Sequence, residues 1–366
     1  MRQINIGVLI PNSSIFPIGK SFETGLKAAL KPLQELDIEV ELSTEFSGQS
    51  GLRQLGEIFD RFFNYHNSDI VTGFISNKIA EDVSEKFKDK QRSLIVNNIG
   101  GQIPDINKLS ENVFINSAHL WRHAWSLGHY GVKNLGKSGM YVSSVYDAGY
   151  SFSQMFSMGM TAADPDSQWS FAVGSMPPNG KLTDMEVILP HIEKQKPDFI
   201  FATFCGTETP LFLNEFMKRG LHHDIKILGL PYLTSPFYGL DDDVNITSTQ
   251  LYHHDPEITT DKVFYELGWQ TGEMIVSVVP DAKDNVEIQQ RLAELKKCFN
   301  INGEGELLAS SFEEKVTLTT NHITDSGKQL TTTTLCEYES YYPTSGQLRD
   351  LFKDPVFSWL NPYLCI

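Results

Sequence analysis

Short apolar segments rich in β-branched residues alternate with longer segments of helical periodicity. Residues 4–10 (INIGVLI) have the composition of a buried strand, and Phe22, Leu26 and Leu30 follow at helical spacing. The alternation continues through predicted strands at residues 38–42, 70–75, 94–96, 139–142, 169–173, 199–203 and 225–228. This β-α-β-α order predicts an α/β fold in which doubly wound parallel sheets carry helices on both faces.

The alternation restarts near residue 120, which divides it into two consecutive α/β units and predicts two similar lobes. Beyond residue 250 the pattern is less regular. Helices are predicted at residues 262–278 and 286–298, and the threonine-rich segments 317–320 and 331–334 favour strands. No low-complexity linker separates the units, so we expect several short crossings between the lobes.

The composition restricts the partners of the protein. The 366 residues include 30 Lys and Arg and 46 Asp and Glu, which gives a formal net charge of −16. A surface this acidic repels phosphate backbones and anionic lipid, which argues against binding to nucleic acid or to a membrane surface. The apolar runs are far shorter than the ~18 residues that span a bilayer, so no transmembrane segment is predicted.

The amino terminus and the cysteines leave the compartment open. Met1 leads directly into a strand-like segment, with no apolar stretch that ends in a cleavage site and would form a secretory signal. Either the protein is cytoplasmic, or its signal has been removed and a start methionine added. The four cysteines form no CxxC pair, so neither a zinc ribbon nor a thioredoxin-like site is predicted.

Several sequence motifs of common enzymes are missing. The chain has no GxSxG elbow, no HExxH and no GxGxxG after the first strand. Ligands of doubly wound sheets bind beyond the carboxyl ends of the strands. The loops at those ends carry hydroxyls, amides and aromatic rings but few charges, which suits holding a small polar molecule better than transforming one. We therefore predict a binding protein, not an enzyme, and no cofactor.

The histidines and acidic runs offer only weak alternatives. His119 and His123 are spaced i, i+4, so two imidazoles could share a helix face as metal ligands. No cysteine or carboxylate stands close by to complete a site, and we expect packing or surface histidines and no metal. The acidic run 241–243 is expected to be a solvated turn, and Trp121 and Trp125 are expected in the core.

Several segments, taken in order, resemble one family. They are IGVLIPNSSIFPIGKSFETGLKAAL, DIVTGFISNKIAEDVSEKF, VSSVYDAGYSFSQMFSMGM, PDFIFATFCGTETPLFLNEFMKRGL and FYELGWQTGEMI. Together they resemble the type I periplasmic solute-binding proteins, the branched-chain amino-acid and amide receptor group of ABC importers. The likeness extends from residue 4 to about residue 279. It implies two α/β lobes joined by three hinge crossings, lobe one comprising residues 1–119 plus 251–330 and lobe two residues 120–250 plus 331–366.

The resemblance also implies where a ligand binds. The first-lobe anchors of the family fall at Ser76 and Asn77 and on the loop that contains Asn98, Gly100 and Gln102. In amino-acid binders these loops hold the carboxylate through hydroxyls and backbone amides. The remaining predicted contacts are Phe16 after the first strand and, in the second lobe, Tyr146, Cys205, Pro231 and Tyr232.

Two departures from the family pattern leave the ligand class open. Gln102 stands where amino-acid binders carry a threonine, and Pro231 stands where they carry an acid for the ligand ammonium. An ammonium buried without a carboxylate partner costs several kcal/mol. Either Glu208 or Asp147 substitutes from a neighbouring loop, or the ligand is another small polar or aromatic metabolite.

The resemblance implies a receptor that closes on its ligand and delivers it to an ABC permease, with export to the periplasm and loss of the signal. The alternative is a sensor of the same fold without a transport role, possibly in the cytoplasm. The hinge order also brings Cys336 and Cys365 into one lobe, where an oxidising compartment would permit a disulfide. Two free thiols are the other interpretation.

Overall fold

A computed structural model describes residues 2–11, 18–48, 51–105, 108–144, 151–174, 185, 187–204, 206, 208–234, 239–250, 262–295, 297–300, 306–309, 315–339, 341 and 343–353. Within these residues no helix combines the length and the apolar character that crossing a membrane requires. The chain forms two lobes, each built on its own sheet.

The first lobe contains a five-stranded parallel sheet. Its strands are β1 (Arg2–Pro11), β2 (Ile38–Gly48), β3 (Ile70–Phe74), β4 (Ser93–Asn98) and β5 (Val113–Ser117), in the order β2-β1-β3-β4-β5. The first four strands are connected by the helices α1 (Ile18–Glu35), α2 (Leu52–Asn64) and α3 (Asn77–Lys90). Every residue of β3, β4 and β5 is buried, as expected for strands that helices cover on both faces.

Helix α2 shows how the hydrophobic pattern determines packing. Its apolar residues recur at helical spacing, and the buried ones are Leu55, Ile58, Phe59, Phe62 and Phe63. The rings of Phe59 and Phe63 pack edge-on against Phe87 of α3, with ring centroids 4.9 and 5.2 Å apart. These contacts hold the helices together on one face of the sheet.

The second lobe repeats this arrangement. Its parallel strands are β6 (Ser138–Ser143), β7 (Gln168–Val173), β8 (Phe199–Thr203), β9 (Lys226–Gly229) and β10 (Val244–Gln250). Its helices are α4 (Leu120–Asn134), α5 (Phe152–Ala163), α6 (Leu189–Gln195) and α7 (Glu208–Lys218). The strand order β7-β6-β8-β9-β10 matches that of the first sheet, which confirms the predicted fold class.

The rest of the chain returns to both lobes. Helices α8 (Lys262–Val278) and α9 (Asn285–Glu294) lie with the first lobe, as does the hairpin of β11 (Lys297–Asn300) and β12 (Glu306–Ala309). Strand β13 (Lys315–Thr324) then extends the second sheet antiparallel to β10, and β14 (Gln329–Glu339) pairs antiparallel with β13. Helix α10 (Ser345–Lys353) follows. The chain therefore passes between the lobes after β5, β10 and β12.

The position of β13 differs from the sequence-based boundary. That boundary placed residues up to 330 in lobe one, whereas β13 pairs with the whole length of β10, from Val244 opposite Ile323 to Gln250 opposite Thr317. The threonine-rich composition predicted a strand but did not indicate which sheet it would join.

Buried amides fix α8 to the first sheet. The Asn116 side-chain amide donates to the Leu267 carbonyl over 3.0 Å and to the Thr271 hydroxyl over 3.2 Å. Thr271 in turn donates to Asn97 over 2.8 Å. Because an unsatisfied buried amide would cost about 1–3 kcal/mol, this network favours one docking position for the helix.

Cys336 has a free thiol. Cys336 on β14 is half-buried and forms no disulfide, and burial raises the pKa of its thiol. Cys365, its predicted partner, lies outside the described residues.

Candidate functional site

Buried polar side chains collect at the carboxyl ends of three neighbouring strands in lobe one. Ser76 and Asn77 follow β3, Asn98 ends β4, and Ser117 ends β5. All four are buried, and Asn98 is 1% exposed. Since the carboxyl ends of parallel strands meet at one edge of a sheet, these residues form a single cluster at the edge where such folds bind ligands.

Asn98 organises this cluster. Its side-chain NH2 donates to Asn77 Oδ1 over 2.6 Å and to the Ile75 carbonyl over 3.3 Å. Its Oδ1 accepts from the Gly100 amide over 2.9 Å and from the Ser117 hydroxyl over 2.7 Å. These four bonds use the two donors and two lone pairs of the amide. Asn98 therefore positions the loop that follows it, residues 98–102.

Two further contacts determine the shape of the 98–102 loop. The Asn77 side chain donates to the Gln102 carbonyl over 2.7 Å, which fastens the loop to the start of α3. Gly100 has φ +76°, and a Cβ there would lie 2.4 Å from the Cα of His119. Only glycine fits both this backbone conformation and this close approach.

The start of α3 presents hydrogen-bond donors. The Ser76 hydroxyl oxygen caps the helix by accepting from the Ile79 amide over 3.2 Å, which leaves its O–H available to donate. Among the described residues no acceptor lies within hydrogen-bonding range of the amides of Asn77, Lys78 or Gly101. The partial positive charge of a helix amino terminus favours an anion at this place.

The carbonyls of the 98–102 loop bond to the other lobe and to the first crossing. The Ile99 and Gly100 carbonyls accept from the amides of Leu120 and Trp121, over 2.9 and 3.1 Å. The Gly101 carbonyl accepts from the amide of Ser151, which precedes α5 in lobe two, over 2.8 Å. Because N–H and C=O point in opposite directions in a trans peptide, the Gly101 amide faces away from Trp121.

The opposing edge of lobe two carries hydroxyls and one buried acid. Thr203 at the end of β8 donates to the Tyr141 hydroxyl over 2.9 Å, and Glu208 in the first turn of α7 is fully buried. Tyr232 lies in the short 3₁₀ helix Pro231–Thr234 and is 3% exposed, within the lobe core. Position 231, at the start of this 3₁₀ helix, is a proline and not an acid.

The ten predicted contacts fall into three groups: five in lobe one, two in the short 3₁₀ helix of lobe two, and three outside the described residues. The structure brings together Ser76, Asn77, Asn98, Gly100 and Gln102 in lobe one and places Tyr232 in the core of lobe two. Phe16, Tyr146 and Cys205, together with Asp147, lie outside the described residues. Direct ligand contact by any of these residues stays a prediction.

Sequence reasoning missed three participants. Ser117 ends β5, a strand that was not among those predicted. Lys78 contributes a backbone amide, and Ser151 contributes a backbone amide from lobe two. Side-chain patterns do not reveal which backbone amides remain available, so only the folded loop geometry could identify them.

The histidines of the first crossing are buried and neutral. His119 precedes α4 with φ 48° and is 1% exposed, so it does not share a helix face with His123 as the i, i+4 spacing suggested. Burial and the Arg122 guanidinium lower the pKa of His119 well below its usual value and that of His123 to about 3. No group of three metal-ligating side chains occurs in the described part of the chain.

Comparisons with known proteins agree with this architecture. Residues 3–262 match the family model described as periplasmic binding protein. No curated protein sequence matches the chain.

Solved structures share the fold at low sequence identity. An ABC transporter substrate-binding protein from Sphaerobacter thermophilus is 17% identical, with a TM-score of 0.69 over 94% of this chain and 100% of that chain. An R. palustris ABC transporter solute binding protein in complex with benzoate is 16% identical, with a TM-score of 0.68 over 94% and 98%. The branched-chain amino acid binding protein LivJ from Streptococcus pneumoniae, in complex with isoleucine, is 13% identical, with a TM-score of 0.61 over 91% and 99%.

Proposed function

The chain belongs to the periplasmic binding protein family, and on that premise we propose that it is the solute receptor of an ABC importer. We further propose that it binds a small carboxylate between its two lobes, with the carboxylate at the start of α3. On this proposal the protein holds its ligand without transforming it.

The donors at the start of α3 are the observation that carries the proposal. The amides of Asn77, Lys78 and Gly101 lack acceptors in the described part of the chain, and the Ser76 hydroxyl is free to donate. Hydrogen bonds from such donors to a carboxylate are charge-assisted and contribute about 1.5–3 kcal/mol each. Benzoate and isoleucine are the ligands of two structural neighbours, and the carboxylate is the one polar group that both molecules carry.

The second lobe favours a ligand without an ammonium group. Position 231 is a proline, and Glu208, the buried acid of this edge, already has a partner within the structure. Burying an ammonium without its own carboxylate would cost several kcal/mol. An aromatic or aliphatic carboxylate avoids that cost, and we propose that class ahead of the amino acids.

Ligand capture then follows from differential affinity. The carboxylate docks on the amides of lobe one, and lobe two closes over the rest of the molecule. A ligand shifts such an equilibrium only by as much as it binds the closed form better than the open form. We place this event in the periplasm, from which the closed receptor delivers its ligand to a permease.

A ligand screen tests the carboxylate class directly. We would measure the thermal stabilisation of the protein by benzoate, 4-hydroxybenzoate, aliphatic carboxylates, leucine and isoleucine, each paired with its neutral amide. The proposal predicts that one or more acids raise the midpoint of unfolding, that the matching amides do not, and that acids without an ammonium act more strongly. Equal stabilisation by acid and amide, or stabilisation by none of the acids, would contradict it.

The gene neighbourhood tests the transport role separately. Permease and ATPase genes beside this one, and a signal sequence upstream of Met1, are the expected findings. A lone gene whose true start is Met1 would favour a sensor without a transport role.

A further inference from the structure

Apart from the bonds of Leu120 and Trp121 at the first crossing, one backbone bond among the described residues joins the two lobes at the candidate site. The amide of Ser151 in lobe two donates to the carbonyl of Gly101 in lobe one over 2.8 Å. Ser151 is 5% exposed, so water competes little for this bond. The proposed function needs the amide of Gly101 for the ligand but assigns no role to its carbonyl.

The peptide groups around Gly101 serve different partners. The carbonyl of Gly100 accepts from Trp121 in the first crossing over 3.1 Å, and the amide on the same peptide plane, that of Gly101, faces the opposite way. Hydrogen-bonded peptide groups polarise one another. A charged acceptor on the Gly101 amide therefore strengthens the hydrogen bond that the Gly100 carbonyl accepts from the Trp121 amide. The next carbonyl along the chain, that of Gly101, accepts from the Ser151 amide in lobe two.

We infer that the Ser151–Gly101 bond is a closing contact, which stabilises the closed arrangement of the lobes independently of any ligand. For a ligand that requires the closed form, the apparent dissociation constant is the intrinsic one divided by the fraction of molecules that are closed. The closing contact raises the closed fraction and thereby raises the affinity for any ligand held in the cleft. The inference rests on the proposed function only in that the two lobes open and close.

The backbone amide of Ser151 can be removed without changing the other bonds at the start of α5. Ser151 has φ −68°, close to the value that proline imposes, and its side chain makes no capping bond. Its carbonyl accepts from Met155 over 3.0 Å, which a proline would preserve. Ser151→Pro therefore deletes the interlobe donor, and Ser151→Ala is the matched control that keeps it.

Small-angle scattering in buffer without added solute compares the two variants. We expect the Ser151→Pro protein to have a larger radius of gyration than the wild-type and Ser151→Ala proteins, which should agree with each other. The affinity for the best-stabilising acid of the screen above should fall about two- to tenfold in the proline variant, the effect of one hydrogen bond. Identical scattering from the proline and alanine variants would overturn the inference.

Amide exchange in the wild-type protein provides a second measurement if the proline variant does not fold. We expect slow hydrogen exchange at the Ser151 amide in the absence of added solute. Exchange as fast as that of an exposed loop amide would overturn the closing contact. Neither the scattering nor the exchange measurement involves a carboxylate, so failure of the ligand screen and failure of this inference are distinguishable.

Discussion

At the scale of single residues, Asn98 is the centre of the candidate site. It is the residue through which the ends of β3, β4 and β5 are joined, and its side chain makes four hydrogen bonds in a buried position. The shape of the 98–102 loop therefore depends on the Asn98 side chain. Replacing Asn98 tests whether its side chain holds the 98–102 loop in position.

The variant Asn98→Asp preserves size but replaces two donors by an oxygen. That oxygen would face Asn77 Oδ1 and the Ile75 carbonyl, which the native NH2 approaches to 2.6 and 3.3 Å. A buried charge without a partner costs about 3–5 kcal/mol, so we expect the free energy of unfolding to fall by roughly 3 kcal/mol. Urea denaturation measures this, and Asn134→Asp on the exposed end of α4 is the control. Equal small losses in both variants would contradict the role of Asn98.

The buried histidines predict a loss of stability in acid. The pKa of His123 is lowered to about 3 in the folded protein because its imidazole is buried and Arg122 is near, whereas an unfolded histidine titrates near 6.5. The unfolded chain therefore binds the proton first, so the stability present above pH 6.5 is lost as the pH falls from 6.5 towards 3.

Urea denaturation of the wild-type protein and of His123→Gln at several pH values measures this effect. Relative to His123→Gln, the wild-type protein should lose on the order of 2 kcal/mol between pH 7.5 and pH 5. A difference between the two proteins that stays constant over this range would show that His123 titrates normally.

At the scale of elements, paired glycines bring helices together in each lobe. A Cβ at Gly25 of α1 would lie 2.1 Å from the Tyr265 carbonyl oxygen of α8, and one at Gly268 of α8 would lie 2.0 Å from that of Phe22. Gly128 and Gly159 play the same part between α4 and α5. The helix backbones are thus in direct contact, which fixes both helix pairs relative to their sheets.

Alanine at one of these glycines should destabilise the protein in spite of its helix propensity. Gly268→Ala gains up to about 1 kcal/mol in propensity but forces the backbones apart, which costs about 1–3 kcal/mol or more. Gly56→Ala in α2 is the matched control, because a Cβ there meets nothing within 4 Å. We expect thermal unfolding to shift downwards for Gly268→Ala and upwards for Gly56→Ala. Stabilisation by both substitutions would contradict close backbone packing.

The sequence indicates most elements of the fold but not all of their positions. Long periodic segments such as α1 and α2 follow from their hydrophobic pattern alone. Strand β5 was not predicted, although its three apolar residues followed by two polar ones, Asn116 and Ser117, repeat the pattern of β4. Those two residues are buried because they bond to α8 and to Asn98, which are distant in sequence.

At the scale of the whole molecule, the five parallel strands of each sheet share one order, and the chain passes between the sheets after β5, β10 and β12. The first-lobe part of the candidate site could be predicted because Ser76, Asn77 and the 98–102 loop follow strands that the sequence identifies. The backbone donors and the interlobe bond could not, since they depend on peptide orientation, which carries no side-chain signal. The central claim is that a carboxylate binds at the start of α3.

A single charge at Ser76 tests this claim most directly. Aspartate caps a helix as well as serine does, so Ser76→Asp should keep or raise thermal stability, but its negative charge would repel a ligand carboxylate. Asp284→Ala removes a comparable cap from α9, where Asp284 accepts from the Glu287 amide over 2.9 Å, and serves as the control.

Isothermal titration with the most strongly stabilising acid gives the decisive comparison. We predict that Ser76→Asp loses binding at least about tenfold while its unfolding midpoint holds, and that Asp284→Ala loses some stability while its affinity is unchanged. Undiminished affinity of the Ser76→Asp protein for that acid would contradict a carboxylate site at the start of α3.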